Sequence, residues 1–292
     1  MVDIGTGIPV VLIPGIQGRW EWMRPAVEAL AGRCRVITSS LPGEPETDWG
    51  PQRGPRARQP RVGPQRRCRV GDPDWESGNG DGFDSFIGFV DSLLDRARVQ
   101  QAAICGVSYG SLIALRYAAR RSERVRALAV VSALGPHWRP DRRTRQYMRF
   151  PTLCGPVFFA GAMARAWPEL RGTFPNLGER VRFCASTIPL VLRAPATPRR
   201  MARRAELAAQ ETFEEDCRHI SAPTLVVAGE RYLDRVVSVD DALAYVSAIP
   251  GARFQILERT GHLGIVTAPE RFAAIVSAFV NGEDRPVTLQ GS

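Results

Sequence analysis

A chain of 292 residues with 44% hydrophobic side chains can bury a sizeable core, which excludes global disorder and fits one large α/β domain with an insertion or two small domains. Its formal net charge of +9 is carried by arginine without a single lysine, and no helix-turn-helix, RRM or zinc-finger pattern accompanies it, so no nucleic-acid partner is expected. The opening run MVDIGTGIPVVLIPG has no basic leader and no apolar stretch of spanning length, so no signal peptide, no membrane partner and a cytoplasmic location are expected.

In chain order, Ile8–Ile13 (IPVVLI) is a continuous apolar run rich in β-branched residues and reads as a strand. Trp20–Ala31 places Trp22, Met23, Val27 and Leu30 on one helical face, and Cys34–Thr38 is a second strand. Residues 44–82 are rich in arginine, proline and glycine and nearly free of large aliphatics, so a mobile surface loop is expected. Its only aromatics, Trp49 and Trp75, flank the arginines instead of alternating with them, which argues against a single-stranded RNA site. Phe83–Ala97 is helical by its spacing of Phe86, Phe89, Val90, Leu93 and Leu94. Strands are then expected at Gln101–Cys105 and Arg126–Ser132, with an alanine-rich helix over Ser111–Arg120 between them.

Residues 135–219 hold apolar patches and a helical-looking segment but no clear strand, and read as an inserted helical cap. Strands at Pro223–Ala228 and Ala252–Leu257, with helices at Asp240–Ile249 and Pro269–Val280, close the pattern. Mostly unbroken apolar strands imply burial on both faces, the mark of a parallel sheet covered by helices. The expectation is a doubly wound, mostly parallel α/β sheet whose core takes residues 1–134 and 220–292 and whose cap takes 135–219.

Six cysteines (Cys34, Cys68, Cys105, Cys154, Cys184 and Cys217) are scattered without C-x-x-C spacing, and the disulfide framework that an even count invites belongs to short secreted chains. No metal cluster and no dinucleotide fingerprint is legible; Gly78, Gly80 and Gly82 are loop residues, and no cofactor is expected.

The informative stretch is Gly106-Val107-Ser108-Tyr109-Gly110, between the strand QAAIC and the helix SLIALRYAARR. A serine between two glycines at a sharp strand-to-helix turn exposes its hydroxyl above the sheet, and the helix N-terminus that follows favours nearby negative charge. A serine hydroxyl needs a base. The chain offers His137, His219 and His262, of which only His262 lies just past the last strand, in RTGHLGIV.

This G-x-S-x-G in its strand–turn–helix setting resembles the nucleophile elbow of the α/β-hydrolase superfamily, over roughly residues 8–43, 83–135 and 220–281. The resemblance implies Ser108 as nucleophile and His262 as base, since Gly261-His262 matches the family's G-H pair. It further implies an acid after the fifth strand, where Asp234 stands in GERYLDRVV, with Glu230, Asp240 and Asp241 as fallbacks. His137 and His219 then read as surface or packing histidines, and Asp240 as a helix cap. The oxyanion hole would use the Tyr109 amide and the Ile16 amide, with Gln17 as a neighbour facing substrate.

Three features depart from the family pattern. Pro14-Gly15-Ile16 stands where H-G-x is usual, Ser111 where many relatives have glycine, and SSLPGEPE where an aspartate and G-x-G-x-S are frequent. The first hairpin is expected to be missing or very short. The implied function is hydrolysis of an ester-like bond in a small molecule through an acyl-enzyme, with substrate chosen by the cap, where Phe158, Phe159 and Trp167 would line an apolar site and arginines would meet a carboxylate. Acyl transfer, carbon–carbon bond hydrolysis or lysis, and a non-catalytic binding protein are the rival readings.

Overall fold

The computed structural model describes residues 1–45 and 82–283. Among the described residues there are seven strands: β1 Val2–Ile4, β2 Pro9–Ile13, β3 Arg35–Thr38, β4 Ala102–Val107, β5 Val125–Val131, β6 Thr224–Ala228 and β7 Arg253–Ile256. They form one sheet in the order β1-β3-β2-β4-β5-β6-β7, parallel throughout except for β1, which runs antiparallel to β3. β2 to β7 follow the six apolar runs to within two residues at either end. β1 is the short remnant of the expected first hairpin. With three residues it has too little alternation to read from sequence, and an ion pair from Asp3 to Arg35 (2.7 Å) pins it to β3.

The helices are α1 Arg24–Ala31, entered through a 3₁₀ turn at Trp20–Met23, then α2 Ser85–Arg96 and α3 Tyr109–Arg120. Four follow β5: α4 Arg142–Arg149, α5 Pro151–Thr173, α6 Leu177–Arg193 and α7 Pro198–Gln210. α8 Glu214–His219 leads into β6, and α9 Val239–Ala248, α10 Gly264–Thr267 and α11 Pro269–Asn281 complete the set. α4 to α7 form the inserted cap. α8 instead packs on the sheet's covering layer, with Cys217 in the core and Asp216 paired to the buried Arg116 of α3 (2.6 Å). The arginine-rich stretch read as a loop over 44–82, including Trp49 and Trp75, lies outside the described residues except for Glu44, Pro45 and Gly82.

The period of two in each strand sends alternate residues to opposite cores. Val11, Ile13, Ile104 and Val130 face the layer built by α2, α3, α8 and α9. Val10, Leu12, Ala103 and Val227 face α1 and α11. Every residue of β4 and β6 is buried, and each such valine, leucine or isoleucine contributes about 1.5–3 kcal/mol. This double burial fixes the carboxyl ends of β4 and β6, and β7 is held beside them as a partly exposed edge strand paired in parallel with β6; the polar groups of interest emerge at these three ends. Among the described residues no helix is long and apolar enough to cross a membrane.

Candidate active site

Ser108 sits at the junction of β4 and α3 with φ 54° and ψ −118°, a conformation that costs of order 1–3 kcal/mol for a non-glycine residue. The neighbours hold it there. Its amide donates to the Val131 carbonyl at 2.8 Å. A side chain at Gly106 would run into the backbone of Gly110, and one at Gly110 into the Ile13 carbonyl, so the turn can close only with glycine at both places. The buried Ser111 hydroxyl donates to the Gly106 carbonyl at 2.7 Å and takes the Val131 amide at 3.1 Å, tying α3 to two strands. A glycine at residue 111 would lack these bonds.

His262 lies in the loop between β7 and α10, and its Nε2 is 3.1 Å from Ser108 Oγ. Its Nδ1 is 3.5 Å from Asp234 Oδ2, within ion-pair range and at the outer edge of a hydrogen bond, and this nitrogen has no better acceptor. Such bonds commonly tighten only once a reacting group is bound. Asp234 follows β6, and its other oxygen accepts the Val236 and Val237 amides at 2.9 Å each. Burial pushes this carboxyl up, but His262 and the two amides outweigh it and leave the group below the ordinary carboxylate range. The acid and histidine loops touch backbone to backbone: a Cβ at Gly261 would stand 2.5 Å from the Leu233 carbonyl. The glycine before the histidine is thus a packing requirement of the Asp234–His262 approach.

The fallback carboxylates are engaged elsewhere. Glu230 accepts the Arg259 amide at 2.6 Å, and Asp240 pairs with Arg231 at 2.6 Å on the surface. Asp240 does not cap the next helix. Ser238 does, accepting the Asp240 amide, with Asp241 completing a capping box. His137 and His219 are exposed beside Glu214 and Glu215.

The loop after β2 turns at Gly15–Gly18, closed by the Gly18 amide on the Gly15 carbonyl at 2.9 Å. It runs beside Ser108, for a Cβ at Gly15 would lie 3.4 Å from that of Ser108. Ile16 and Gln17 follow, both half-buried, and the Gln17 amide oxygen folds back over Gly15. Tyr109 opens α3, so its amide has no acceptor within the helix. Beside Ile16 an apolar pocket of about 70 Å³ is walled by Met148, Cys154, Phe158, Phe159 and Met201. Trp167 is not part of this wall; it stands half-exposed under the Arg180 guanidinium. Among the described residues no arginine lines the pocket either.

Two cap residues that the sequence reading passed over grip the loops around Ser108. Arg204 of α7 is buried and donates to the Ile16 carbonyl at 3.0 Å and to the buried Glu44 at 2.8 Å. Glu169 of α5 is buried and accepts the Leu263 amide and the Thr267 hydroxyl, both at 2.9 Å, on the histidine loop. Burial holds the Glu169 carboxyl above its ordinary range, against those donors and the His262 charge. A signal for Arg204 was available: it shares the i, i+3, i+4, i+7 spacing of Met201, Ala205 and Ala208, the buried face of α7.

A family model described as alpha/beta hydrolase fold matches residues 8–269. The 2-hydroxy-6-oxo-2,4-heptadienoate hydrolase of Pseudomonas putida is 24% identical over 291 residues, covering 97% of this chain and 92% of that one. The 3-oxoadipate enol-lactonase 1 of Acinetobacter baylyi is 25% identical over 188 residues, 64% of this chain and 67% of that one. The solved esterase EaEST of Exiguobacterium antarcticum has a TM-score of 0.70 at 17% identity, covering 96% of this chain and 94% of that one, a likeness of fold alone. The family match runs through β2 to β7 and through the loops that carry Ser108, Asp234 and His262, and the chain therefore belongs to the α/β-hydrolase fold family.

Proposed function

We propose that the protein is a serine hydrolase that cleaves an ester-like bond of a small molecule, a carboxylic ester, thioester or lactone, through an acyl-enzyme. The observation that carries this reading is the 3.1 Å approach of His262 Nε2 to Ser108 Oγ with Asp234 behind the ring. In this reading Nδ1 holds its proton toward Asp234, which leaves Nε2 free to take the Ser108 proton as Oγ attacks the carbonyl carbon. The negative charge that forms on the carbonyl oxygen meets the Tyr109 and Ile16 amides, and each such donor typically contributes about 3 kcal/mol. His262 then returns the proton to the leaving oxygen or sulfur. Water, deprotonated by His262, releases the acid and restores Ser108.

The apolar wall of Met148, Phe158, Phe159 and Met201 supports an alkyl or aromatic group on the substrate, next to Gln17 and Ile16 at the reacting end. A cytoplasmic setting is supported by the unpaired state of Cys34, Cys105, Cys154, Cys184 and Cys217. Carbon–carbon bond hydrolysis is the second reading, favoured by the extent of the likeness to the heptadienoate hydrolase. The name of that substrate is that of a carboxylate, and among the described residues the wall beside Ile16 holds no cation, which supports the ester reading.

A fluorophosphonate probe is expected to label Ser108, and Ser108→Ala is expected to lower hydrolysis of short p-nitrophenyl esters by on the order of 10⁵-fold without loss of folding. Equal hydrolysis by Ser108→Ala would remove the catalytic assignment, and a folded wild-type protein that resists labelling would point to a binding protein on the same scaffold.

A further inference from the structure

The surface of the cap is unlike the rest of the molecule. α5 is apolar on nearly every side, a composition that belongs to a helix buried all round. Yet only Gly155, Glu169 and Leu170 of its 23 residues are buried. One face lines the pocket through Cys154, Phe158 and Phe159. The opposite face presents Leu153 (80% exposed), Val157 and Trp167 with no charged residue among its exposed positions from 152 to 167. α6 repeats the pattern. None of its residues is buried, and Leu177, Val181, Ile188 and Leu192 (73% exposed) recur at intervals of four, seven and four, a single outward stripe. Singly scattered exposed apolar residues need no account, but an apolar stripe on each of two consecutive cap helices, joined where Arg180 of α6 lies over Trp167 of α5, does.

Charge decides what covers them. Of the chain's 39 arginines and 30 carboxylates, residues 142–210 hold thirteen and three, leaving 26 and 27 for everything else. The excess positive charge of the whole protein therefore sits on the cap helices. One of the three carboxylates, Glu169, is buried, while Arg142, Arg143, Arg145 and Arg149 of α4 and Arg182 and Arg193 of α6 are all exposed. A second copy docked cap to cap would oppose two such faces of like charge. An anionic bilayer meets both requirements: its acyl region accepts the leucines and Trp167, and its headgroups accept the arginines. Among the described residues no helix is long and apolar enough to span, so the mode is attachment in the interface plane.

We propose that α5 and α6 form a docking face for an anionic lipid surface, which brings the pocket wall on the inner side of α5 within one helix of the acyl region. This departs from the expectation of no membrane partner, which rested on the lack of a spanning run.

The test is sedimentation of the full chain with vesicles of pure phosphatidylcholine and with vesicles containing about 30% phosphatidylglycerol, each near-surface arginine being worth about fivefold in partitioning. Partitioning onto the anionic vesicles is expected to exceed that onto phosphatidylcholine by at least about tenfold, and to vanish as salt rises from about 0.01 M to about 1 M and the Debye length shrinks from about 30 Å to about 3 Å. The double variant Leu153→Glu/Leu192→Glu is expected to lose at least about tenfold in partitioning while keeping short-ester hydrolysis, since neither side chain touches the pocket. If that variant does not fold, Arg182→Glu/Arg193→Glu, both on the exposed side of α6, must give the same loss. Equal partitioning onto the two vesicle types, partitioning onto neither, or a wild-type dimer that Leu153→Glu/Leu192→Glu dissolves would each overturn the proposal, the last by making a second copy the occupant.

Discussion

The sheet rim and the cap meet around the same serine but are built by opposite means. At the rim, backbone packs on backbone: Gly106 on Gly110, Gly110 on Ile13, Gly261 on Leu233. The doubly buried β4 and β6 carry Ser108 and Asp234, and the Gly261–Leu233 contact brings the His262 loop to them, so the main chain brings the three proposed catalytic residues together. In the cap, α6 buries nothing and α5 almost nothing, and two buried polar side chains, Glu169 and Arg204, reach down to the loops around Ser108. Arg204 holds the loop with Ile16, and Glu169 holds the loop with His262. The difference teaches that Ser108 and Asp234 are placed by main-chain packing on the sheet, whereas the Ile16 loop, and in part the His262 loop, are held by buried polar contacts from the cap.

The rim is tested hardest by Asp234→Asn, which keeps shape and removes charge. An asparagine can present its amide nitrogen to His262 and favour the wrong tautomer, so kcat on a p-nitrophenyl ester is expected to fall by about 10⁴-fold with little change in KM. The same variant carries a pH signature. Because the Asp234 carboxyl is held below its ordinary value of 3.8, its ionised form stabilises the folded state above that pH, and the contribution disappears as pH falls through the lower native value. Wild type is therefore expected to be the more stable protein at pH 6 to 7, with the gap to Asp234→Asn closing below about pH 4 in thermal melts. A gap that widens in acid would mean that Asp234 is not the stabilised carboxylate.

The same contrast explains how much was legible in the sequence. The strands and the G-x-S-x-G elbow could be read because burial on both faces leaves continuous apolar runs, and because glycines forced by backbone contact mark the turn. His262 was legible through Gly261, whose lack of a side chain lets the two loops touch. The cap was legible only as helical. α5 carries Pro156 and Pro168 in its interior and α6 carries Pro189, residues that read as breaks, and the apolar character of α5 on all sides erases its periodicity. Glu169 left no signal, since a lone carboxylate in such a helix cannot be told from a solvated one. Its partners, Leu263 and Thr267, lie about a hundred residues away.

Arg204→Ala attacks the cap side. It removes the donor to the Ile16 carbonyl and leaves Glu44, whose side chain is fully buried, without its nearer cation; Arg200 at 3.6 Å is the remaining one. Breaking a buried pair by deleting one partner costs about 3–5 kcal/mol, which predicts a drop in Tm of roughly 10 °C for a chain of this size. Activity measured well below the melt is expected to fall through kcat, because the oxyanion loop loses its anchor while the pocket wall remains. Should Tm fall with kcat intact, Arg204 would be a structural strut with no bearing on the oxyanion loop.

Glu169 gives the smallest and most discriminating effect. Its carboxylate is raised above the ordinary value of 4.5 by burial, so ionised Glu169 costs the folded state stability at neutral pH, and the cost fades as pH falls through the raised native value. Glu169→Gln removes that cost and keeps the shape: its oxygen can accept the Leu263 amide, and its NH₂ can donate to the Thr267 hydroxyl, which is able to accept. It is expected to match or exceed wild type in Tm at pH 7 and to retain most of kcat. Glu169→Ala leaves the Leu263 amide without its acceptor and frees the His262 loop from α5, so kcat is expected to drop about tenfold with KM nearly unchanged. A residue that only filled space would show Tm falling in the Ala variant alone and kcat falling in neither. The comparison of Gln with Ala at this one position therefore reports whether the cap merely roofs the pocket or also sets the angle of the base.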